Sequence, residues 1–155
     1  MLDIGDKAPA FSARLDDGTT LQLAKLKGQP LVLYFYPKDD TSGCTSEAKN
    51  FTALAGEFAA AGARVIGVSP DSVESHARFK RKHDLDVALA ADDEKKIVEA
   101  YGVWVEKSMY GRKYMGVERS TFLIDAKGRL ARVWRKVKVP GHAQEVLAAV
   151  KELTV

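Results

Sequence analysis

A short apolar stretch, Leu31-Val32-Leu33-Tyr34-Phe35-Tyr36, decides how this chain folds. Continuous apolar character over six residues is typical of a central β-strand that is buried on both faces. A helical pattern follows it, and a second apolar run occupies residues 64–69. Strand, helix and strand within about 35 residues predict a parallel βαβ unit, whose crossover is almost always right-handed.

The helix of this unit is indicated by apolar residues at helical spacing. Its predicted buried face consists of Ala48, Phe51, Ala55 and Phe58, which follow one another at intervals of three or four residues. Gly62 is a suitable terminator, because glycine readily adopts the left-handed conformation that ends many helices. We therefore expect one helix between the two strands.

Two further apolar runs predict a β-hairpin near the C-terminal end of the chain. Residues 120–125 and 130–137 flank the turn Ala126-Lys127-Gly128, so we expect an antiparallel hairpin. Additional helices are predicted over residues 73–83, 93–101 and 141–153. A parallel unit followed by a hairpin and a final helix is the order of a thioredoxin-like sheet.

The N-terminal region predicts one more β-hairpin, because residues 8–11 precede the turn sequence Asp16-Asp17-Gly18-Thr19. Residues 107–116 have no clear period and are predicted to form a loop. We therefore predict a single α/β domain over residues 1–155. Its expected fold is thioredoxin-like, with a central mixed β-sheet flanked by helices and an N-terminal β-hairpin.

Composition and charge exclude several classes of protein. The chain has 155 residues and is 46% hydrophobic, which is sufficient for one domain with its own core. No apolar run approaches the roughly 20 residues needed to cross a bilayer, and the first residues do not resemble a secretory signal. We expect a cytoplasmic protein with no membrane partner. The net charge is +3, and the basic residues at 78–82 and 132–138 have acidic neighbours and no nucleic-acid motif, so we predict no nucleic-acid partner.

Cys44 is the only cysteine, and it stands where the first strand gives way to the helix. Its neighbours Ser42, Gly43 and Thr45 are small or polar, which argues against a position in the core. In the first turn of a helix, free backbone N–H groups and the helix dipole stabilise an anion such as a thiolate. From these residues alone, a reactive thiol and a structural cysteine both remain open.

The sequence around Cys44 resembles a known active-site loop. The segments Tyr34-Phe35-Tyr36-Pro37-Lys38 and Thr41-Ser42-Gly43-Cys44-Thr45 are similar to that of the peroxiredoxins, in the form found in the bacterioferritin comigratory protein or peroxiredoxin Q subfamily. Further matches extend along almost the whole chain, at residues 5–11, 67–72, 75–79, 110–112 and 118–125. Together these matches are specific, although each of them alone is weak.

The resemblance implies one peroxiredoxin domain that reduces hydrogen peroxide or organic hydroperoxides. Cys44, as a thiolate, would attack the terminal peroxide oxygen and become a sulfenic acid. Thr41 would hold a peroxide oxygen through its hydroxyl, and Pro37 would shape the loop and help to keep water from the sulfur. Arg119 would stabilise the thiolate and polarise the peroxide. Read without the resemblance, Thr41 would be a turn residue or a helix cap, Pro37 a strand terminator and Arg119 a surface residue.

The chain departs from the subfamily at the positions of the resolving cysteine. Lys49 and Lys80 stand where relatives carry that second thiol, so no internal disulfide can form. The sulfenic acid would then be reduced by an external thiol, such as thioredoxin, glutaredoxin or glutathione, or by Cys44 of a second protomer. Engineered removal of a resolving cysteine would give the same sequence. A further departure is Ser42, which stands where the subfamily often has proline. The resemblance also implies that the protein is a monomer.

Other functions compete with this one. A thiol-disulfide oxidoreductase is disfavoured because there is no Cys-x-x-Cys pair, whereas a non-enzymatic peroxide sensor or redox-controlled binding protein remains open. His76, His83 and His142 are unclustered in sequence and have no cysteine at ligand spacing, so we expect no metal site. His76 and His83, seven residues apart, could share a helix face, but we expect ordinary surface or semi-buried positions for both. No pattern indicates a cofactor. Four residues could line the substrate mouth or a dimer surface, or simply pack in the core or a loop: Trp104, Tyr110, Tyr114 and Met115.

Overall fold

The computed structural model describes residues 1–153, and within them nine strands form two sheets. The strands are β1 (Ser12–Leu15), β2 (Thr20–Gln22), β3 (Leu31–Phe35), β4 (Arg64–Ser69), β5 (Ala88–Ala91), β6 (Trp104–Met109), β7 (Arg112–Val117), β8 (Ser120–Ile124) and β9 (Leu130–Trp134). The α-helices are α1 (Ser42–Ala53), α2 (Ala55–Ala60), α3 (Val73–His83), α4 (Lys96–Ala100) and α5 (His142–Leu153).

The predicted central strand, β3, is an interior strand of a seven-stranded mixed sheet, ordered β2-β1-β5-β4-β3-β8-β9. Every residue of β3 is buried, and the strand pairs parallel with β4 and antiparallel with β8. The predicted βαβ unit, the β8–β9 hairpin and the N-terminal hairpin are therefore confirmed. The first strand of the N-terminal hairpin is β1 at Ser12–Leu15, however, and not the predicted segment of residues 8–11. The sequence analysis missed β5, because alanine-rich segments have little strand propensity and its pairing partners on both sides hold it in place.

Alternate residues of β3 contribute to two core layers, one on each face of the sheet, because successive strand side chains point to opposite faces. Leu33 and Phe35 pack in the layer that contains α4. Val32 and Tyr34 pack in the layer that contains residues of α1, α2, α3 and α5. Cys44 belongs to this second layer.

The crossover that was predicted as one helix is interrupted. The chain leaves helical geometry at Leu54, where φ is −101° and ψ is 6°, so α1 and α2 are separate elements. Phe51 and Phe58 are nevertheless buried on the same side of the sheet, as the spacing predicted. Gly62 follows α2 with φ of 78°, which agrees with its predicted role as a terminator.

The prediction of a loop over residues 107–116 is wrong. This region is the two-stranded antiparallel sheet β6–β7, and its turn places Tyr110 and Gly111 at positive φ. The alternation is hidden in the sequence because large side chains are exposed on both faces of the hairpin, including Met109, Tyr114 and Met115. Burial therefore provides no periodic signal.

Helix α4 is shorter than the predicted span of residues 93–101. The Asp92 carboxylate accepts the backbone N–H groups of Ile97 and Val98, which anchors the first turn of the helix. Lys95 immediately before the helix has φ of 63°, outside the helical region. Within residues 1–153, none of the helices combines the length and the apolar character needed to cross a membrane.

Candidate active site

A loop carries the chain from β3 to α1, and Thr41 is its last residue. Thr41 has extended backbone geometry and is the N-cap of α1, and its carbonyl accepts the N–H of Thr45 at 2.9 Å. Its hydroxyl donates to the carbonyl of Lys38 at 2.9 Å instead of capping the helix. With its proton engaged in this way, the Thr41 oxygen offers its lone pairs as hydrogen-bond acceptors.

Cys44 is in the first turn of α1 and is only 2% exposed, so the expectation that it avoids the core is wrong. The helix provides the reason. Cys44, Glu47, Ala48 and Phe51 recur at intervals of three and four residues and form the buried face of α1. The small and polar residues adjacent to Cys44 in sequence point away from this face, so they do not report its surroundings.

Arg119 contacts the sulfur directly. It precedes β8, and its Nη2 lies 3.4 Å from Cys44 Sγ, while its Nη1 donates to Glu47 Oε1 at 2.7 Å. Gly43 makes room for this approach, because a Cβ at that position would lie 3.2 Å from Nη2. One guanidinium therefore joins two residues of α1 that are separated from it by more than 70 positions in the chain.

Glu47 is a site residue that the sequence analysis missed. It is 1% exposed, and burial raises the pKa of its carboxyl to about 7, although Arg119 acts in the opposite direction. Its Oε2 has no hydrogen-bond partner among the residues that the structure describes. The available signal was its spacing of three from Cys44, which places both side chains on one face of a helix.

Cys44, Glu47 and Arg119 form a cluster in which the two acidic groups, the Cys44 thiol and the Glu47 carboxyl, share one guanidinium. Burial disfavours the charge on Arg119, but Glu47 and Cys44 outweigh it and raise the pKa of the guanidinium. An ionised Glu47 therefore competes with a Cys44 thiolate for the same cation. When Glu47 is protonated, it no longer competes, and the charge of Arg119 is available to stabilise a Cys44 thiolate.

Two further residues affect the electrostatics around the sulfur. Lys107 of β6 is half-buried, and its pKa is lowered first by burial and then by the nearby charge of Arg119. The hydroxyl of Tyr34 is buried without a partner among residues 1–153, and burial followed by the charges of Glu47 and Cys44 raises its pKa well above the usual value. Tyr34 stacks on Phe51 with ring centroids 4.6 Å apart and belongs to the apolar layer around the site.

The other predicted positions lie around the loop. Pro37 is half-buried in a bend directly after Tyr36, whose N–H bonds to the carbonyl of Val68 at 3.1 Å. Lys49 is exposed, and Lys80 pairs with Asp16 at 2.7 Å. The structure thus brings Arg119 into contact with Cys44 and places Pro37 and Thr41 in the segment that leads to it.

The expectation of surface or semi-buried positions for His76 and His83 is wrong for His76. His76 is fully buried, and His142 is 5% exposed with Nε2 2.8 Å from Thr121 Oγ1. His83 fits the expectation, being partly exposed and paired with Asp40 at 2.7 Å. His76 is three residues before the buried Phe79 on α3, and this helical spacing was the signal for its burial.

Comparison with known proteins identifies the family. The model of the AhpC/TSA family matches residues 4–133. The chain belongs to the AhpC/TSA family. Peroxiredoxin Bcp of Bacillus subtilis is 51% identical to it over 153 residues, which cover 99% of this chain and 98% of the relative. The putative peroxiredoxin bcp of Coxiella burnetii is 48% identical over 146 residues, covering 94% of this chain and 97% of the relative.

Solved structures give the same result for the fold. Peroxiredoxin Q of Xanthomonas campestris superposes with a TM-score of 0.91 at 44% identity, and the match covers 100% of this chain and 98% of that chain. The predicted thioredoxin-like fold and the resemblance to the peroxiredoxin Q subfamily are confirmed. As a peroxiredoxin, this AhpC/TSA protein is a thiol-dependent peroxidase, acting on peroxides with a thiol reductant.

Proposed function

We propose that Cys44 is the peroxide-reacting nucleophile of this peroxidase. The observation that carries the proposal is the 3.4 Å contact between Arg119 Nη2 and the sulfur in the first turn of α1. The thiolate attacks the terminal oxygen of the peroxide, so that an S–O bond forms as the O–O bond breaks. The leaving oxygen takes up a proton and departs as water or an alcohol, and Cys44 becomes a sulfenic acid.

Three residues support this step. Arg119 stabilises the thiolate and then the negative charge that develops on the leaving oxygen. The hydroxyl of Thr41 donates a hydrogen bond to the carbonyl of Lys38, so its oxygen accepts a hydrogen bond from the hydroperoxide O–H. Pro37 fixes the shape of the loop and offers no N–H to water beside the site.

The second half of the cycle uses an external thiol. Relatives differ here, since the Xanthomonas peroxiredoxin Q has been solved as serine variants of two different cysteines, whereas Cys44 is the only cysteine of this chain. A first thiol condenses with the sulfenic acid to give a mixed disulfide and water. A second thiol then releases reduced Cys44 and a disulfide of the reductant. Thioredoxin, glutaredoxin and glutathione are thiols of the required kind.

The proposal also covers the substrates, the oligomeric state and the location of the protein. The substrates are hydrogen peroxide and organic hydroperoxides, which agrees with the alkyl peroxide reduction described for the Xanthomonas bacterioferritin comigratory protein. The chain acts as a single domain over residues 1–155 and as a monomer. It works in the cytoplasm without a nucleic-acid or membrane partner.

The test is single-turnover oxidation of the reduced protein by hydrogen peroxide, with sulfenic acid trapping and mass spectrometry, measured against pH. A rate that stays high at about pH 6 to 7, well below the value of about 8.5 at which an ordinary thiol ionises, is the expected result. Cys44→Ser should abolish peroxide turnover, and surviving turnover would contradict the proposal. Fast oxidation that no thiol can reverse would favour a peroxide sensor instead.

A further inference from the structure

A second buried polar cluster adjoins the active-site loop and has no part in the mechanism above. It is centred on the carboxylate of Asp39, which is a loop residue. Tyr36 donates its hydroxyl to Oδ1 at 2.6 Å, and Ser75 donates its hydroxyl to Oδ2 at 2.8 Å. His76 of α3 places Nδ1 2.8 Å from Oδ2 and 3.0 Å from Oδ1. The side chain of His76 is completely buried.

The positions of the protons in this cluster follow from its acceptors. His76 Nε2 lies 3.0 Å from the carbonyl oxygen of Ala90, which can only accept, so Nε2 carries a hydrogen. Nδ1 faces the Asp39 carboxylate, and a proton must also lie between these two groups. His76 therefore joins β5 to the loop through both ring nitrogens. Asp39, Asp71 and His76 have potential metal-ligand atoms within 4.8 Å of one another, but hydrogen-bond donors already engage these carboxylates.

Asp39 is held through its backbone as well as its side chain. Its N–H donates to Asp71 Oδ2 at 2.9 Å, and the same oxygen accepts the hydroxyl of Ser69 at 2.6 Å. The N–H of Asp39 and the carbonyl of Lys38 belong to one planar peptide group. Fixing Asp39 therefore fixes the direction of the Lys38 carbonyl, which is the group that accepts the hydroxyl proton of Thr41.

We propose that His76 is a positioning residue for the peroxide step. By anchoring the side chain of Asp39, it holds the Lys38–Asp39 peptide and so sets the orientation of the Thr41 hydroxyl beside the bound peroxide. His76 itself touches neither the peroxide nor the sulfur. This inference rests on the proposed roles of Cys44 and Thr41.

The test compares two substitutions, each of which retains one of the two hydrogen-bond donors of the histidine ring. In His76→Asn the amide nitrogen replaces Nδ1 and retains the donor to Asp39, whereas in His76→Gln it replaces Nε2 and retains only the bond to Ala90. We expect His76→Gln to slow single-turnover oxidation of Cys44 by hydrogen peroxide about ten-fold, the size of one hydrogen bond. His76→Asn should stay within about three-fold of the wild type on the same grounds. Equal rates for the two variants would overturn the proposal.

A second readout separates positioning from general loosening of the fold. Alkylation of Cys44 by iodoacetamide needs the thiolate but no Thr41 contact, so its rate should be unchanged in His76→Gln. Parallel losses in alkylation and peroxide oxidation would instead indicate a structural role and overturn the inference.

The proposed route through Thr41 is tested in a double-mutant cycle. Once Thr41→Val has removed the hydroxyl, adding His76→Gln should slow the reaction no further, and an undiminished ten-fold effect would contradict the route.

If the histidine variants do not fold, Ser75→Ala removes another donor to Asp39 from the partly exposed end of the cluster and should show the same selective loss. Turnover by Cys44→Ser would refute the proposed function itself, whereas an inactive Cys44→Ser with a fully active His76→Gln would refute the positioning role alone.

Discussion

Two buried polar clusters adjoin the loop between β3 and α1, and they are built differently. In the thiol cluster, formed by Cys44, Glu47 and Arg119, two acidic groups share one guanidinium and Glu47 Oε2 has no partner among the described residues. In the support cluster, centred on Asp39 and His76, both carboxylate oxygens and both ring nitrogens have partners.

We interpret this difference as a division of roles, in which one cluster takes part in the proposed reaction and the other holds the loop in place. A buried polar group without a partner costs free energy, so such a group is retained where its reactivity is useful. A fully satisfied network gives a single well-ordered arrangement, because any other arrangement leaves a buried group unpaired. The loop thus has a fully paired anchor on one side and, on the other, the incompletely paired thiol site of the proposed peroxide step.

The largest effect should come from breaking the support cluster. Asp39→Asn removes the charge from a buried pair, and we expect the free energy of unfolding to fall by about 3 to 5 kcal/mol. Asp40→Asn is the matched control, because Asp40 is the next residue and contacts Lys82 and His83 on the exposed surface. Its midpoint in urea denaturation should not change, since exposed ion pairs contribute little. Similar losses for the two variants would contradict the comparison.

Substitutions in the thiol cluster should slow the proposed peroxide step before they destabilise the fold. Arg119→Ala removes the donor to Cys44 Sγ, and we expect single-turnover oxidation by hydrogen peroxide to slow by about 10² to 10³-fold, as for the loss of one transition-state donor. Arg119→Lys retains the charge without the two-pronged geometry and should give an intermediate rate. An unchanged rate in Arg119→Ala would remove this residue from the mechanism.

Thr41 lies in sequence between Asp39 and Cys44, and its hydroxyl donates to the carbonyl of Lys38. Removing this hydroxyl should have a smaller effect. Thr41→Val should slow peroxide oxidation of Cys44 about ten-fold, because one hydrogen bond to the substrate is lost. Thr41→Ser retains the hydroxyl and is expected to remain close to the wild type. Stopped-flow rates at several peroxide concentrations would measure both, and a slow Thr41→Ser would point to the methyl group instead.

The smallest change in rate at neutral pH is expected for Glu47→Gln, which keeps an oxygen for Arg119 and removes the charge. The folded-state pKa of Glu47 is about 7, above the ordinary 4.5, so the folded protein binds more protons than the unfolded chain between these values. The stability that this group contributes is present below pH 4.5 and is lost as the pH rises through 7. Glu47→Gln should therefore gain stability relative to the wild type over this interval in urea denaturation, and a constant difference would contradict the assignment.

Much of the fold could be predicted from local patterns. The apolar run of β3 and the spacing of Phe51 and Phe58 follow from neighbours in sequence, because burial imposes a period of two or of three to four residues. The β6–β7 hairpin escaped prediction since exposed side chains on both of its faces carry no such period. The burial of Cys44 was missed because the helix turns it away from its polar sequence neighbours.

By itself, the sequence determined the βαβ unit and the presence of a single thiol in the first turn of its helix. Only the tertiary structure decided what surrounds that thiol. The pairing of Phe35 with Ser120 between β3 and β8 places Arg119 beside the loop, and the packing of α3 brings His76 to Asp39. Such contacts join residues 37 to 75 positions apart. They depend on strand register and helix packing, which no local period encodes.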